Sequence, residues 1–128
     1  MDKATTLELL DFILLNLRLI KRRFETIQSS DDFLDDDDGL DRLDAISMRL
    51  QSTGEALKNL DKRERELLLE VADKKYWSQI IRTREILTHH YIDIDAETIY
   101  MICDEKLEDL KEKIIKLKEI VVATEGND

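Results

Sequence analysis

The chain has 128 residues, no proline, three glycines, 39% charged residues and 5% aromatic residues, which fits a single domain with a modest core. Abundant charge and few helix breakers predict an all-α protein. A single cysteine, Cys103, excludes an intramolecular disulfide and a cysteine-based zinc site, so we expect a cytoplasmic protein. No apolar run approaches the 18 or so residues of a membrane span, and the first residues do not form a signal peptide.

The net charge of −10 is concentrated in one segment. Residues 31–44 hold eight aspartates against Arg42 alone, a balance of −7, which leaves −3 for the remaining chain. The rest of the chain is therefore not strongly repelled by nucleic acid. A local basic patch can still bind phosphate, with a strong salt dependence.

The first predicted helix spans residues 6–28, and Thr5 and Glu8 have the spacing of a capping box at its start. Apolar residues recur along it at three- and four-residue spacing, and a second apolar set covers much of the opposite side. A helix that is apolar on two faces is usually buried in its own core and against a partner. The pattern therefore predicts a homodimer.

Residues 29–41 form an acidic connection, which we interpret as a solvated loop. A calcium loop does not fit, because placing Gly39 at the sixth loop position puts Leu34 and Ala45 where acidic ligands are required. The alternative role is contact with a basic surface of a partner.

The remaining chain contains further helical patterns and a tail at residues 124–128 that we expect to be frayed. A break at residues 91–95 precedes the last helix, for which Asp95 is a good N-cap. The predicted helices span about residues 41–60, residues 62–75, a segment from Tyr76 to the break, and residues 96–123. Together they predict an antiparallel bundle of four to five helices in a single domain, 1–128.

The chain's two histidines, His89 and His90, follow Arg84 and directly precede Tyr91. RNA is cleaved when its 2′-hydroxyl attacks the neighbouring phosphate, which requires proton transfer and stabilisation of the extra phosphorane charge. Histidine suits the proton transfers and arginine the charge. We predict that His89 is the acid/base and Arg84 the charge clamp. One copy supplies one such histidine unless His90 also contributes, whereas a symmetric dimer supplies two.

Helix geometry complicates this assignment. On an ideal helix Arg84 and His89 lie roughly 140° apart, whereas Arg82, Glu85 and His89 share a stripe. Either the helix ends before His89, or the cleft admits both stripes. The alternatives are that Arg84 is a surface ion-pair residue, with Glu85 or Glu97, and that the His-His pair caps a helix C-terminus. Adjacent side chains diverge, which disfavours a histidine metal site.

Residues 77–95 resemble the HepT-like toxins of the HEPN superfamily. The family signature is arginine, four residues, histidine, any residue and tyrosine, and Arg84, His89 and Tyr91 match it in register. Trp77, seven residues before the arginine, also matches, as does the Ile-Asp pair that ends at Asp95. The resemblance extends to residues 44–58, with their Gly-Glu-Ala core, and to residues 107–114, so it covers nearly the whole chain.

The resemblance implies a helical-bundle homodimer that acts as a metal-independent endoribonuclease toxin and needs no cofactor. It also implies a partner, a small nucleotidyltransferase (MNT) antitoxin that transfers AMP onto the motif tyrosine, here Tyr91. Each added nucleotide brings bulk and negative charge to the place where RNA phosphate should bind.

One residue departs from the family pattern, because Glu85 stands where the family usually has asparagine. Its carboxylate can neutralise Arg84, repel phosphate, and pair with Arg82 and His89. This departure favours an alternative, a catalytically silent helical module that binds a nucleotide or a partner. A third interpretation, a purely structural helical dimer, explains the first helix but leaves the motif unexplained.

Overall fold

The computed structural model describes residues 1–89 and 92–124, and within these ranges the side chains of residues 86, 88, 89 and 92–95 lie outside the description. This part of the chain forms helices and contains no strand, which confirms the predicted all-α fold. The elements are α1 (Lys3–Phe24), a short 3₁₀ helix (Ser30–Phe33), α2 (Asp37–Arg63), α3 (Arg65–Leu69), α4 (Lys74–His89), α5 (Ile92–Glu105) and α6 (Leu107–Ala123).

Helix α2 lies between α1 and α4, and α1 also packs against α6. Polar contacts show that α1 and α2 run antiparallel. Near the start of α2, Arg42 Nη1 donates to the carbonyl oxygen of Arg23, at 3.1 Å, and further along α2 the buried Asn16 Nδ2 donates to Thr53 Oγ1, at 3.2 Å.

Helices α1 and α6 are also antiparallel. Lys21 pairs with Glu108 at 3.0 Å, and Asp11 pairs with Lys118 at 2.7 Å. Exposed pairs of this kind add little stability, so burial of apolar side chains holds the helices together. Every helix, including the 3₁₀ helix, contributes to the largest fully buried apolar side chains, which are Leu10, Ile13, Ile20, Phe33, Leu43, Ile46, Leu57, Leu60, Leu68, Trp77, Ile99 and Ile114.

Helix α1 begins earlier than the sequence predicts. Its N-cap is Asp2, whose carboxylate accepts a hydrogen bond from the backbone N–H of Thr5 at 2.8 Å. That hydrogen bond holds the pKa of the Asp2 carboxyl below its usual range. The predicted capping box of Thr5 and Glu8 is therefore wrong, because aspartate at the earlier position is at least as good a cap as threonine.

The acidic connection is shorter and more ordered than the predicted loop of residues 29–41. Residues 30–33 form the 3₁₀ helix, and its Phe33 is fully buried. Asp36 then caps α2 by accepting from the Gly39 N–H at 2.7 Å. Residue 39 must be glycine because a Cβ there would overlap the carbonyl oxygen of Asp32.

The second half of the chain contains more breaks than its periodicity indicates. Helix α3 has only five residues, and the predicted last helix is divided into α5 and α6 at Lys106. The division lets α5 pack against the 3₁₀ helix and α2 while α6 packs against α1. Asp95 lies inside α5 and is not its N-cap. Of the predicted tail, residues 125–128 lie outside the described residues.

None of the helices in residues 1–89 and 92–124 has both the length and the apolar content needed to cross a bilayer.

Candidate functional site

Helix α4 carries the predicted catalytic arginine and ends at the predicted catalytic histidine. It begins after Asp73, whose carboxylate accepts from the Tyr76 N–H at 2.8 Å. One turn in, the fully buried Trp77 donates its indole N–H to the carbonyl oxygen of Leu68 at 2.8 Å. This bond fixes α4 against α3 and sets the rotation of the residues that follow.

Arg84 lies where α4 crosses closest to α2. A Cβ placed on Gly54 would lie 2.8 Å from Cβ of Arg84 and 3.4 Å from its Cγ. The glycine therefore makes room for the stem of the arginine side chain. Glycine costs helix stability, so its presence in the middle of α2 is explained by this close approach.

Glu55 binds the other end of the same side chain. Its Oε1 lies 2.5 Å from Nη1 of Arg84, and the side chains are 59% and 22% exposed, respectively. The guanidinium is thus half-sheltered between the helices and faces a carboxylate that water can still reach. Charge-assisted hydrogen bonds of this length fix orientation as well as charge. Consecutive residues of α2, Gly54 and Glu55, therefore position both ends of Arg84.

An open groove next to this pair gives it access to a ligand. The groove has a volume of about 510 Å³, and its lining includes Leu9 and Phe12 of α1 and Ser52, Glu55 and Asn59 of α2. We call it the Phe12 groove. Glu55 both lines the groove and pairs with Arg84, so the groove reaches the carboxylate of this ion pair, while Arg84 itself lies behind Glu55 and does not line the groove.

The predicted pairing of Glu85 with Arg82 is not formed. Glu85 and Arg82 are both exposed on α4, and among the described side chains no ion pair joins them. The expected pairing of Glu85 with Arg82 is therefore wrong. Exposed side chains one turn apart gain little from pairing and lose conformational freedom.

The rest of the predicted motif is only partly described. The backbone of His89 is helical and forms the last residue of α4, so α4 does not end before the histidine. The side chain of His89, and all of His90 and Tyr91, lie outside the described residues.

Sequence reasoning named Glu85 and Glu97 as partners for Arg84 and missed Glu55. A signal was present, because the Gly-Glu-Ala core at residues 54–56 belongs to the family resemblance. Nothing in the spacing of the chain, however, indicates that residues 55 and 84, on different helices, meet. That contact depends on how α2 and α4 cross.

Comparison with known families shows which family the chain belongs to. Residues 13–117 match the family described as Ribonuclease HepT-like. The match covers most of the chain, and the chain belongs to this family. No curated protein and no solved structure shows a significant match to it.

Proposed function

We propose that this protein is a metal-independent endoribonuclease toxin that acts as a homodimer and is silenced by a nucleotidyltransferase antitoxin. The observation that carries the proposal is Arg84, a family motif residue whose stem is packed on Gly54 and whose guanidinium is held by Glu55, a residue that lines an open groove. An arginine fixed in this way is suited to binding a phosphodiester.

The chemistry requires two proton transfers and one charge clamp. The 2′-hydroxyl oxygen attacks the adjacent phosphorus while a base, His89 in one copy, accepts its proton. The bond from phosphorus to the 5′-oxygen breaks, and an acid, the equivalent histidine of a second copy or His90, protonates that oxygen. Arg84 stabilises the phosphorane charge. The products are a 2′,3′-cyclic phosphate and a 5′-hydroxyl.

Exposed apolar side chains on α1 support the dimer. Phe12 is 38% exposed and Leu15 is 39% exposed, although both are large apolar side chains in the middle of α1. Helix α1 is already buried against α2 and α6 on its other sides. A second copy that covers Phe12 and Leu15 would also close the Phe12 groove, and so reduce screening around Arg84.

The proposed partner acts on Tyr91. The nucleotidyltransferase antitoxin joins the tyrosine oxygen to the α-phosphate of ATP, and pyrophosphate leaves. The resulting phosphodiester adds a negative charge seven residues after Arg84 on the chain. It therefore competes with RNA phosphate for the same cation.

Cleavage of a single-stranded RNA, with and without EDTA, tests the catalytic part. We expect activity to survive EDTA, to produce 2′,3′-cyclic phosphate ends, to be lost in His89→Ala and to weaken in Arg84→Lys, which replaces a bidentate fork by a point charge. His90→Ala is the matched control and should have a smaller effect. Circular dichroism shows whether each variant folds. Loss of activity on chelation, or full activity in His89→Ala, contradicts the proposal.

Light scattering at micromolar concentration tests the dimer. Phe12→Glu and Leu15→Glu should each convert the dimer to a monomer. Each variant should lose its cleavage activity along with the ability to dimerise. Leu69→Glu is the control, because Leu69 is 47% exposed but belongs to α3 and does not line the Phe12 groove. A wild-type protein that is monomeric under these conditions removes the basis for a site shared by two copies.

A second candidate function is a silent binding module, and the pairing of Glu55 with Arg84 favours it. The carboxylates of Glu55 and Glu85 offset the positive charge of Arg84, which is needed to bind a phosphate. The same assay discriminates the two functions, because a silent module binds its partner but releases no cyclic phosphate at any enzyme concentration.

A further inference from the structure

A group of arginines lies where the C-terminal end of α1 meets the first turns of α2. Arg22, Arg23 and Arg42 line a cleft of about 520 Å³, together with Thr26, Asp41 and Ala45. We call it the arginine cleft. Its three arginines outnumber its one carboxylate, that of Asp41, although the cleft borders the acidic segment of residues 31–44.

Arg42 has a structural role. Its Nε lies 2.9 Å from Asp38, and its Nη1 donates to the carbonyl oxygen of Arg23 at 3.1 Å. Arg42 thus satisfies a carbonyl of the last turn of α1 and ties that turn to α2. It holds the cleft in shape, and its own charge is largely matched by Asp38.

The other arginines are not matched in this way. Among the described residues, no carboxylate lies within ion-pair distance of Arg22 or Arg23, or of Arg49, which instead donates to the amide oxygen of Asn16 at 3.0 Å. One terminal nitrogen of Arg23 is buried and finds no hydrogen-bond acceptor in the described part of the chain. Burial, and then the charges of Arg22 and Arg49, lower the pKa of the Arg23 guanidinium.

Leaving a buried guanidinium nitrogen without an acceptor is costly. The unmatched charges of Arg22 and Arg23 also repel each other, and an anion bound in the cleft that both residues line offsets that repulsion. A phosphate group fits this role best, because guanidinium donors match its oxygens in pairs. Phosphate contacts hold a nucleic acid in position without reading its sequence.

We propose that the arginine cleft is an exosite that binds the RNA backbone at a distance from Arg84, and this inference rests on the proposed nuclease function. Ala45 lines the arginine cleft, and Ser52, two turns further along α2, lines the Phe12 groove. The two sites therefore share one side of α2. From Ala45 to Glu55 the helix rises about 15 Å, a span that a few nucleotides of single-stranded RNA cover.

If the arginine cleft binds RNA, binding and cleavage should depend on the length of the RNA. We compare cleavage and binding of a dinucleotide, whose single phosphodiester cannot contact Arg84 and the cleft at the same time, with those of an RNA of about twelve nucleotides. The variants are Arg23→Ala and Arg22→Glu, of which the second changes an exposed side chain and leaves the packing intact. Arg63→Ala is the matched control, since it removes an exposed arginine from the last turn of α2.

We expect both exosite variants to lower the preference for the longer RNA about tenfold. The slope of log affinity against log salt should fall by about 0.7 for each lost phosphate contact. Arg63→Ala should leave preference and slope unchanged. An unchanged preference, or an equal loss with both substrates, overturns the exosite. So does a dimer that dissociates in Arg22→Glu while RNA binding is kept, because the arginines then belong to a protein interface.

The experiment separates this inference from the proposed function. If the wild type cleaves RNA and the variants keep their preference for the longer RNA, the exosite is wrong and the nuclease stands. If no RNA is cleaved but the twelve-nucleotide RNA binds in a manner that depends on Arg23, the exosite stands and the nuclease is wrong. Arg84→Ala, measured in parallel, should abolish cleavage and keep most of the binding to the longer RNA.

Discussion

Arg84 lies between two glutamates that act on it in different ways. Glu55, across the helix interface, contacts its guanidinium, whereas Glu85 is its neighbour along the chain and is exposed on α4. Because Glu55 is more than half exposed, its pair with Arg84 contributes on the order of 1 kcal/mol or less to stability. Its main effect is to restrict where the guanidinium points, which matters more for catalysis than for folding.

Removal of Glu55 should therefore impair cleavage. In Glu55→Ala we expect the rate to fall about fivefold, which corresponds to about 1 kcal/mol, with the melting temperature nearly unchanged. Glu55→Gln keeps an oxygen that can accept from Arg84 and should retain most of the activity. Single-turnover cleavage rates test this order. A rate that rises in both variants shows instead that Glu55 competes with the substrate for the arginine.

Replacement of Glu85 should raise the cleavage rate, whereas removal of Glu55 should lower it. Glu85→Asn, which restores the usual family residue, removes a negative charge beside the phosphate site. The cleavage rate should rise about twofold, the effect of an exposed charge interaction of about 0.3–0.5 kcal/mol, and more if a second subunit closes the groove. Glu66→Asn, an exposed carboxylate on α3, is the control. Unchanged or lower activity in Glu85→Asn means that Glu85 is neutral or takes part in the reaction.

Substitution of Gly54 by alanine has two effects of opposite sign on the stability of the fold. Alanine in a helix interior is usually more stable than glycine by about 0.5–1 kcal/mol. At position 54, however, the new Cβ meets the root of the Arg84 side chain, which cannot turn away without moving the helix. Overpacking of this kind costs about 1–3 kcal/mol. We expect Gly54→Ala to lower both the free energy of unfolding and the cleavage rate, measured by urea denaturation and RNA cleavage. A gain in stability shows that α2 and α4 separate easily.

At the scale of elements, one aspartate among many starts α2. Asp36 caps the helix through the Gly39 N–H, whereas no hydrogen bond of the Asp35 side chain to the described residues is formed. The acidic segment is therefore more than a solvated run of charge. It includes Asp36, the N-cap at which the connection ends and α2 begins.

Asp36→Ala should lower the free energy of unfolding by about 1 kcal/mol, the usual value of an N-cap. Asp35→Ala removes the same charge one residue earlier and should leave stability unchanged or slightly raised, because it reduces repulsion between neighbouring aspartates. Urea denaturation followed by circular dichroism compares the two variants. Equal effects of both substitutions contradict the capping role and assign the result to charge alone.

At the scale of the whole molecule, a single core encloses the cysteine. Cys103 is buried, and burial raises the pKa of its thiol to about 12. The reactive thiolate is therefore scarce at pH 8, and a reagent reaches the sulfur only when the bundle opens. We expect labelling of the native protein by a thiol reagent to be slow and to speed up with urea as the fold is lost. Rapid, complete labelling of the native protein contradicts the packing of α5.

The sequence alone determined the class of fold and the identity of the motif. Periodic apolar residues and the absence of proline predict helices wherever they occur, because a helix is a local structure. The register of Arg84, His89 and Tyr91, combined with Trp77 and the Gly-Glu-Ala core, predicts the HepT-like family, and the match of residues 13–117 confirms that family. The sequence did not determine the helix boundaries. Asp2 and Thr5 are both good N-caps for α1, and only packing against the other helices decides at which of them the helix begins.

Only the tertiary structure decided which residues meet. Glu55 reaches Arg84 and Arg23 gathers with Arg49 because α2 crosses α4 on one side and α1 on the other. The break at Lys106, where the chain has neither glycine nor proline, has the same origin, since α5 and α6 pack against different neighbours. Contacts between distant segments depend on crossing angles and separations that ridge-and-groove packing sets. A local pattern along the chain does not contain them.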